Sequence, residues 1–246
     1  MINILSDIYT IWLREMIRFI RARSRIITSL AMPFFWLIFI GVGFGSVVTE
    51  MNYINFLAPG IIGMIILFTS IFSGMSIIWD RQFGFLKEIL VAPVSRSSIM
   101  LGKVLGGATI AVVSALIMIL ITILIGFIPI SIGIVPAVIF MILTAMCFVS
   151  IGLIIASKMK SMEGFQMVMS FLIMPVFFLS GALFPLENTP QWMQTIAYFD
   201  PLTYGIDGLR ASLISHSIFP LWLDLAALLL FSTVLVLIGA CVFRRM

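Results

Sequence analysis

Charge is what this sequence has least of. Asp, Glu, Lys and Arg make up 10% of its 246 residues, whereas hydrophobic residues make up 62%; soluble domains are typically about 25% charged. A water-soluble surface cannot be built from so few charges, so the composition excludes a soluble enzyme. The chain also has few metal-ligating residues, because its one histidine, His216, and its two cysteines lie far apart and have no partners at ligand spacing. These scarcities indicate an integral membrane protein with no metal site.

Six long apolar segments account for the composition. A helix that crosses the hydrocarbon core, which is about 30 Å thick, needs around 20 apolar residues. None of the six contains Lys or Arg, and Asp224, near one end of the last, is their only carboxylate. The sequence therefore predicts an all-α polytopic membrane protein, with residues 1–25 ahead of a six-span domain at 26–246. The predicted spans are 26–48, 57–79, 104–127, 132–156, 164–184 and 221–243.

The basic residues predict how these spans are oriented. With six spans, every Lys and Arg except Arg210 falls on one side of the membrane. Because Lys and Arg are enriched in cytoplasmic loops, this side is predicted to be cytoplasmic. Both termini are then cytoplasmic, the segment 185–220 is external, and the chain is expected in the plasma membrane as a multi-pass protein. The first apolar run is too long for a cleaved signal peptide, and we expect it to remain in the protein.

Residues 1–25 have the pattern of an amphipathic helix. Polar residues recur at steps of three and four, which places Arg14, Arg18 and Arg21 on one stripe. Trp12 and the arginines suit the headgroup region, so one interpretation is a helix that lies in the inner interface. A second, compatible interpretation is that the polar face also contacts a cytoplasmic partner.

The segment 80–103 connects the second and third spans on the predicted cytoplasmic side. Residues 85–91 can form two helical turns that Pro93 would end, and Ser95 or Ser97 could then cap the third span. The apolar side chains of this short helix need a surface to cover them. Either a groove of another protein or the underside of the membrane would serve.

The external segment 185–220 is long and is predicted to be structured. Thr189-Pro190 and Asp200-Pro201 each place a good N-cap before a proline, which predicts two short helices. Both contain aromatic residues. They could be anchors at the level of the lipid headgroups, or they could form an outer gate over a transport pathway.

Small residues spaced four apart predict close helix contacts within the membrane. Gly102 and Gly106 form one such pair, and Gly152 and Ala156 another. Pairs of this kind allow two helix backbones to approach each other. They indicate where helices pack and do not indicate a function.

No catalytic pattern emerges from the residues. The sequence has no P-loop, no G-x-S-x-G and no H-E-x-x-H, so no ATP-binding or hydrolytic residues can be assigned to it. Proton- or sodium-driven carriers usually place carboxylates within the membrane, and the predicted spans lack them except for Asp224, which lies too near the outer edge. A secondary carrier, a channel and a membrane-embedded enzyme remain as alternatives to a transporter that uses an external energy source.

Three segments together resemble the type-2 permeases of ABC transporters. The first is 80–96 (DRQFGFLKEILVAPVSR) with the following Leu101-Gly102-Lys103, which is similar to the family's first cytoplasmic loop. The second is 179–188 (LSGALFPLEN), and the third runs from Asp200-Pro201 to Arg210, with Asp200 in place of the more usual Asn. The blocks are most similar to the daunorubicin-resistance and nodulation-export branch, and the resemblance covers essentially the whole chain.

This resemblance implies an export permease with no ATPase site of its own. Two copies of a separate ATPase subunit, which bind ATP and Mg, would pair with two permeases, the second being another copy of this chain or a close relative. The substrate would be an amphipathic drug or a lipid, as in multidrug resistance, with a polysaccharide or lipid-linked glycan as the alternative; no nucleic acid is expected. The implied ATPase-coupling residues are Arg81, Gly84, Phe85, Leu86, Lys87, Glu88, Ile89, Pro93 and Arg96. The implied N-terminal interface contains Arg14, Arg18 and Arg21, and the implied outer gate contains Pro185, Trp192, Pro201, Tyr204 and Arg210.

Overall fold

The residues that the computed structural model describes, 4–45, 53–85, 94–128 and 132–244, form helices and their connections. This confirms the predicted all-α class. The helices in chain order are α1 (Ile4–Arg21), α2 (Arg23–Gly45), α3 (Tyr53–Ser73), α4 (Met75–Gln82), α5 (Arg96–Ile125), α6 (Ile134–Lys158), α7 (Met162–Leu179), α8 (Gln191–Ala197), α9 (Pro201–Ile214) and α10 (Leu221–Arg244).

Five segments within the described ranges are long and apolar enough to cross a membrane. They are Tyr53–Gln82, which contains α3 and α4, and the helices α5, α6, α7 and α10. The first predicted span, 26–48, corresponds to α2, whose apolar part, Ser29–Gly43, is shorter than a full span. Residues 46–48 of that prediction lie outside the described residues. The fold is thus that of a polytopic membrane protein, with five of the six predicted spans matched by length and composition.

Local capping decides where two of the helices begin or end relative to the predicted spans. Ser95 caps α5, as the sequence predicted: its hydroxyl accepts a hydrogen bond from the Ser98 amide at 3.0 Å, and the helix begins at Arg96, ahead of the predicted span that starts at 104. The charged turn that includes Lys103 is therefore helical. The fifth span was predicted to reach 184, but α7 ends at Leu179, and Gly181, with a φ of 74°, lets the chain turn there.

Helix α3 lies at the centre of the molecule and packs against α2, α5, α6 and α9. Most of its side chains are buried. Where α3 ends, Gly74 lies directly against the backbone of Gly152 in α6, and a Cβ atom at either glycine would overlap the opposing backbone. Glycine is needed at this crossing because only its lack of a side chain allows the two backbones to meet.

The segment predicted to be external contains the two expected short helices, α8 and α9. The Asp200 carboxylate caps α9 as predicted, accepting a hydrogen bond from the Leu202 amide at 2.8 Å. The predicted cap of α8 was wrong by one residue: the Thr189 hydroxyl donates instead to the Leu186 carbonyl, within a 3-10 turn at Leu186–Asn188, and the helix begins after Pro190. Helix α9 is almost entirely buried between α3, α6 and α10.

The orientation of the chain can be tested by cysteine labelling. In a variant with Cys147 and Cys241 changed to Ala, we expect a membrane-impermeant maleimide to label Ser217→Cys in intact cells, since Ser217 is exposed beyond α9 on the side with few basic residues. Lys160→Cys, also exposed but between α6 and α7, should be labelled only after the membrane is permeabilised. Labelling of Lys160→Cys in intact cells would contradict the predicted topology.

Candidate functional site

Helix α1 lies against the beginning of α5 rather than only along the membrane surface. Gly102 and Gly106, the small pair predicted to mark a helix contact, face Ile11 and Glu15 of α1, and a Cβ atom at either glycine would be too close to these side chains. The Trp12 indole N–H donates to the Thr109 hydroxyl of α5 at 3.1 Å. The N-terminal helix is therefore part of the packed structure.

This packing brings charged side chains of α1, α4 and α5 together. The Lys103 Nζ donates to Asp80 Oδ2 at 2.8 Å, to Glu15 Oε1 at 3.1 Å and to the Ser76 hydroxyl at 3.0 Å. The side chains of Lys103 and Asp80 are only 2% and 1% exposed. Charges this deeply buried must be paired, because an isolated one would lose its hydration without compensation.

Two arginines of α1 complete the group. Arg14 Nη2 and Arg18 Nη2 both donate to Asp80 Oδ1, at 2.9 and 3.0 Å. We call Arg14, Glu15, Arg18, Asp80 and Lys103 the ionic cluster. Its three cations and two carboxylates leave one positive charge in excess. The cluster joins α1 to the end of α4 and to the second turn of α5.

The end of α4 is also connected to its other neighbours. The Arg81 guanidinium donates to the carbonyls of Met159 and Ser157, at 2.7 and 2.8 Å, and so satisfies carbonyl groups at the end of α6. The Phe85 ring lies 5.8 Å from the Arg14 guanidinium, at the distance of a cation–π contact. Gly84, which lies between Arg81 and Phe85 in the chain, has a φ of 81° and turns the backbone after α4.

The structure describes four of the residues predicted to couple to an ATPase. Arg81, Gly84 and Phe85 follow or end α4, and Arg96 begins α5. The remaining predicted coupling residues lie outside the described residues; they are Leu86, Lys87, Glu88, Ile89 and Pro93.

The predicted N-terminal interface is divided between two environments. Arg14 and Arg18 turn towards Asp80, whereas Arg21 is exposed. Sequence reasoning missed the ionic cluster because Glu15, Asp80 and Lys103 are separated in the chain. The one signal in the sequence was Glu15, a carboxylate beside the polar stripe of α1. In the structure this residue faces the glycine pair of α5.

The residues predicted to form an outer gate also lie in different environments, some buried and some exposed. Arg210 is 1% exposed; it donates to the carbonyls of Gly181 and Ala182, at 2.8 and 3.1 Å, and its guanidinium lies 3.7 Å from the centre of the Phe56 ring. This interaction holds α9 against α3 and the turn after α7. Its partners come from two distant parts of the chain, Phe56 and the turn at Gly181 and Ala182, so the sequence could not show that Arg210 is buried.

The aromatic and proline residues of the predicted gate lie at different depths. The Tyr204 hydroxyl donates to the Tyr198 carbonyl at 2.8 Å, and its ring packs near Phe219. Pro201 is buried at the first turn of α9, and Pro185 precedes the 3-10 turn. Trp192, in α8, is 61% exposed. Tyr204 and Pro201 thus stabilise α9, while Trp192 is available at the surface.

Removing Lys103 should destabilise the protein. In Lys103→Met, the Asp80 and Glu15 carboxylates lose their buried cation, and breaking a buried charge pair from one side costs about 3–5 kcal/mol. We expect a clear fall in the thermal unfolding midpoint of the detergent-solubilised chain. Lys160→Met, which removes an exposed lysine, is the control. Adding Asp80→Asn to Lys103→Met should restore part of the loss, and unchanged midpoints in all variants would show that the ionic cluster contributes no stability.

Residues 6–214 match the family model described as ABC-2 type transporter. A relative in Cyanophora paradoxa that carries the name transport permease ycf38 is 29% identical over 220 residues, which cover 87% of this chain and 76% of the relative. Nodulation protein J of Rhizobium leguminosarum bv. viciae is 25% identical over 241 residues, covering 96% and 93%. The inner membrane transport permease YadH of Escherichia coli K12 is 26% identical over 243 residues, covering 96% and 94%.

Proposed function

Because the chain belongs to the ABC-2 type transporter family, we propose that it is the membrane permease of an ATP-driven exporter. Membership of this family implies an ABC ATPase subunit as a partner. The finer proposal is that two ATPase copies, which bind ATP and Mg, drive a pair of permeases, and that the second permease is another copy of this chain. Both termini and the surface that meets the ATPase would be cytoplasmic, in the plasma membrane.

One observation supports this proposal above the others: α1 and the segment after α4 lie side by side. Both were expected from sequence to contact the ATPase, although they are more than 60 residues apart. In the structure the Arg14 guanidinium lies against the Phe85 ring, and the same arginine binds Asp80. A single partner surface could therefore engage both elements at once.

The ionic cluster supplies a physical route from that surface into the membrane helices. Asp80 lies in the last turn of the Tyr53–Gln82 span, and Lys103 lies in α5. A displacement of the segment between them therefore acts on both helices. Helix α1 is bound to the same two residues and would move with them. Closure of an ATPase dimer could then shift α1, α4 and α5 as one rigid group, which is a common form of conformational switching.

The substrate proposed for this permease is an amphipathic drug or lipid. Lining residues of the cavity between α2, α3 and α7 support this class, because most of them are aromatic, aliphatic or Met side chains. A polysaccharide or lipid-linked glycan is the alternative under the same mechanism. It would require a wider polar path, which the apolar cavity does not provide.

The first test is whether ATP hydrolysis depends on a second protein. We expect the purified chain to hydrolyse no ATP by itself, because its sequence has no P-loop. Co-expression with its ABC ATPase subunit should give a complex that hydrolyses ATP. A complex whose ATPase carries a substituted P-loop lysine is the control. Hydrolysis by the chain alone, or no association with the ATPase, would contradict the proposal.

The second test concerns Phe85. Its ring is 48% exposed beside α1, so a partner surface could bury the rest of it. Burial of a large apolar side chain contributes roughly 1.5–3 kcal/mol, and Phe85→Ala should weaken ATPase association about tenfold.

The matched control for Phe85→Ala is Phe199→Ala, which removes a 76% exposed ring on the opposite, predicted external side. Co-purification with the ATPase and substrate-stimulated hydrolysis are the measurements. Both variants should insert and fold, because neither ring belongs to the core. If Phe85→Ala matches the control in both measurements, the segment after α4 is not the contact, and a position flat on the membrane replaces it.

A further inference from the structure

Two neighbouring cavities lie between the ionic cluster and the apolar interior. The first has a volume of about 280 Å³ and is lined at one end by Glu15, Arg18 and Lys103. The second has a volume of about 410 Å³ and lies beside it. Thr69, Phe72 and Ile110 line both cavities, so the two spaces share a wall. Together they run from a charged end to an apolar end.

The apolar end is formed by α2, α3 and α7, with Phe19 of α1. Its lining includes Trp36, Met64, Phe68 and Met174. Methionine and aromatic side chains provide an apolar surface that adapts to ligands of different shape. An alkyl chain or another flat apolar group matches this surface, whereas a sugar would leave its hydroxyl groups without partners.

The charged end carries a hydrogen-bond donor that the protein does not use. Both Asp80 oxygens and Glu15 Oε1 accept hydrogen bonds from the three cations. The Arg18 Nη1 atom is buried yet has no hydrogen-bond partner, because Glu15 Oε2, with which it forms an ion pair, is 3.7 Å away, beyond hydrogen-bond distance. Buried polar groups are rarely left unpaired, and an unpaired one beside a cavity indicates a ligand group.

The charge balance selects the sign of that ligand group. The ionic cluster has one positive charge in excess, and its carboxylates are already paired. A cationic headgroup would add to this excess beside Arg18 and Lys103, and a neutral headgroup would leave the excess charge uncompensated. A phosphate or carboxylate would satisfy both the Arg18 donor and the charge.

We propose that these cavities bind an amphipathic molecule with an anionic headgroup, a phosphate or a carboxylate, at Arg18 and with its apolar part between Trp36 and Phe68. This inference rests on the proposed export function and names its substrate class. The molecule would enter beside α1, from the cytoplasmic side of the bilayer. The shared wall at Thr69 would then lie between its headgroup and its tail.

The test measures binding to the chain alone, without the ATPase. The probes are dodecyl phosphate, dodecyl maltoside and dodecyltrimethylammonium, which have the same alkyl chain and differ in headgroup charge. Apparent Kd values come from native mass spectrometry of the chain released from phosphatidylcholine nanodiscs. We expect dodecyl phosphate to bind about tenfold more tightly than the other two, in line with the strength of charge-assisted hydrogen bonds. Equal binding of the three would overturn the anionic assignment.

Two variants locate the site. Arg18→Gln should weaken dodecyl phosphate binding about tenfold and leave dodecyl maltoside unaffected, while Arg18→Lys should retain part of the preference. Thr69→Trp should weaken binding of dodecyl phosphate, because the larger indole ring would occupy the space where the two cavities adjoin. The controls are Lys160→Gln, which removes an exposed charge, and Phe171→Trp, which enlarges a 75% exposed side chain on α7. If Arg18→Gln and Thr69→Trp bind as the controls do, the proposed site is wrong.

Inorganic phosphate distinguishes a lipid-like ligand from a free anion. We expect it not to displace dodecyl phosphate at equal concentration, because it cannot occupy the apolar end. Displacement would overturn the amphipathic assignment. Since binding is measured without the ATPase, a chain that binds dodecyl phosphate but fails to associate with any ATPase would retain this site and contradict only the export function.

Discussion

The contact between Lys103 and Asp80 is the constraint on which the arrangement at this end of the molecule depends. Both side chains are almost wholly buried, so neither can keep its charge without the other. One pair is not enough, because Asp80 has two oxygens and Lys103 three N–H groups to satisfy. Helix α1 supplies the missing partners through Arg14, Glu15 and Arg18. The N-terminal helix is thus required by charges that belong to α4 and α5.

This requirement connects the fold to the proposed mechanism. The segment between α4 and α5 follows the helix that contains Asp80 and precedes the helix that contains Lys103, so a force applied to it acts on two membrane helices together. Arg81 extends the connection to α6 by binding the Ser157 and Met159 carbonyls. Glycines bring α1 close to α5, where Gly102 and Gly106 face Ile11 and Glu15, and bring the end of α3 against the backbone of α6, so the helices meet over short and stiff contacts. Such contacts transmit a displacement instead of absorbing it.

Features set by neighbouring residues could be predicted from the sequence. Asp200 caps α9 through an amide two residues away. The apolar runs predict the spans, because a helix in the hydrocarbon core needs apolar side chains along its whole length. The glycine pair of α5 correctly predicted a close contact but not its partner. Long-range pairings could not be predicted: Arg210 binds carbonyls 28 and 29 residues away in the chain, and nothing local distinguishes it from an exposed arginine. The start of α5 could be predicted from its local cap at Ser95, whereas the burial of Lys103 against Asp80 and Glu15 could not.

Arg210 and Arg18 show how the use of hydrogen-bond donors separates a structural arginine from one that could bind a ligand. Arg210 donates to carbonyls on two sides and lies over the Phe56 ring, so its surroundings already provide what a buried guanidinium needs. Arg18 donates to Asp80 but retains a buried Nη1 without a hydrogen-bond partner, and a cavity begins beside it. An arginine side chain therefore has a structural role at the position of Arg210 and an unused hydrogen-bond donor at the position of Arg18. Where the donors are used, the arginine fixes the fold; where one is left, the cavity offers a place for an anion.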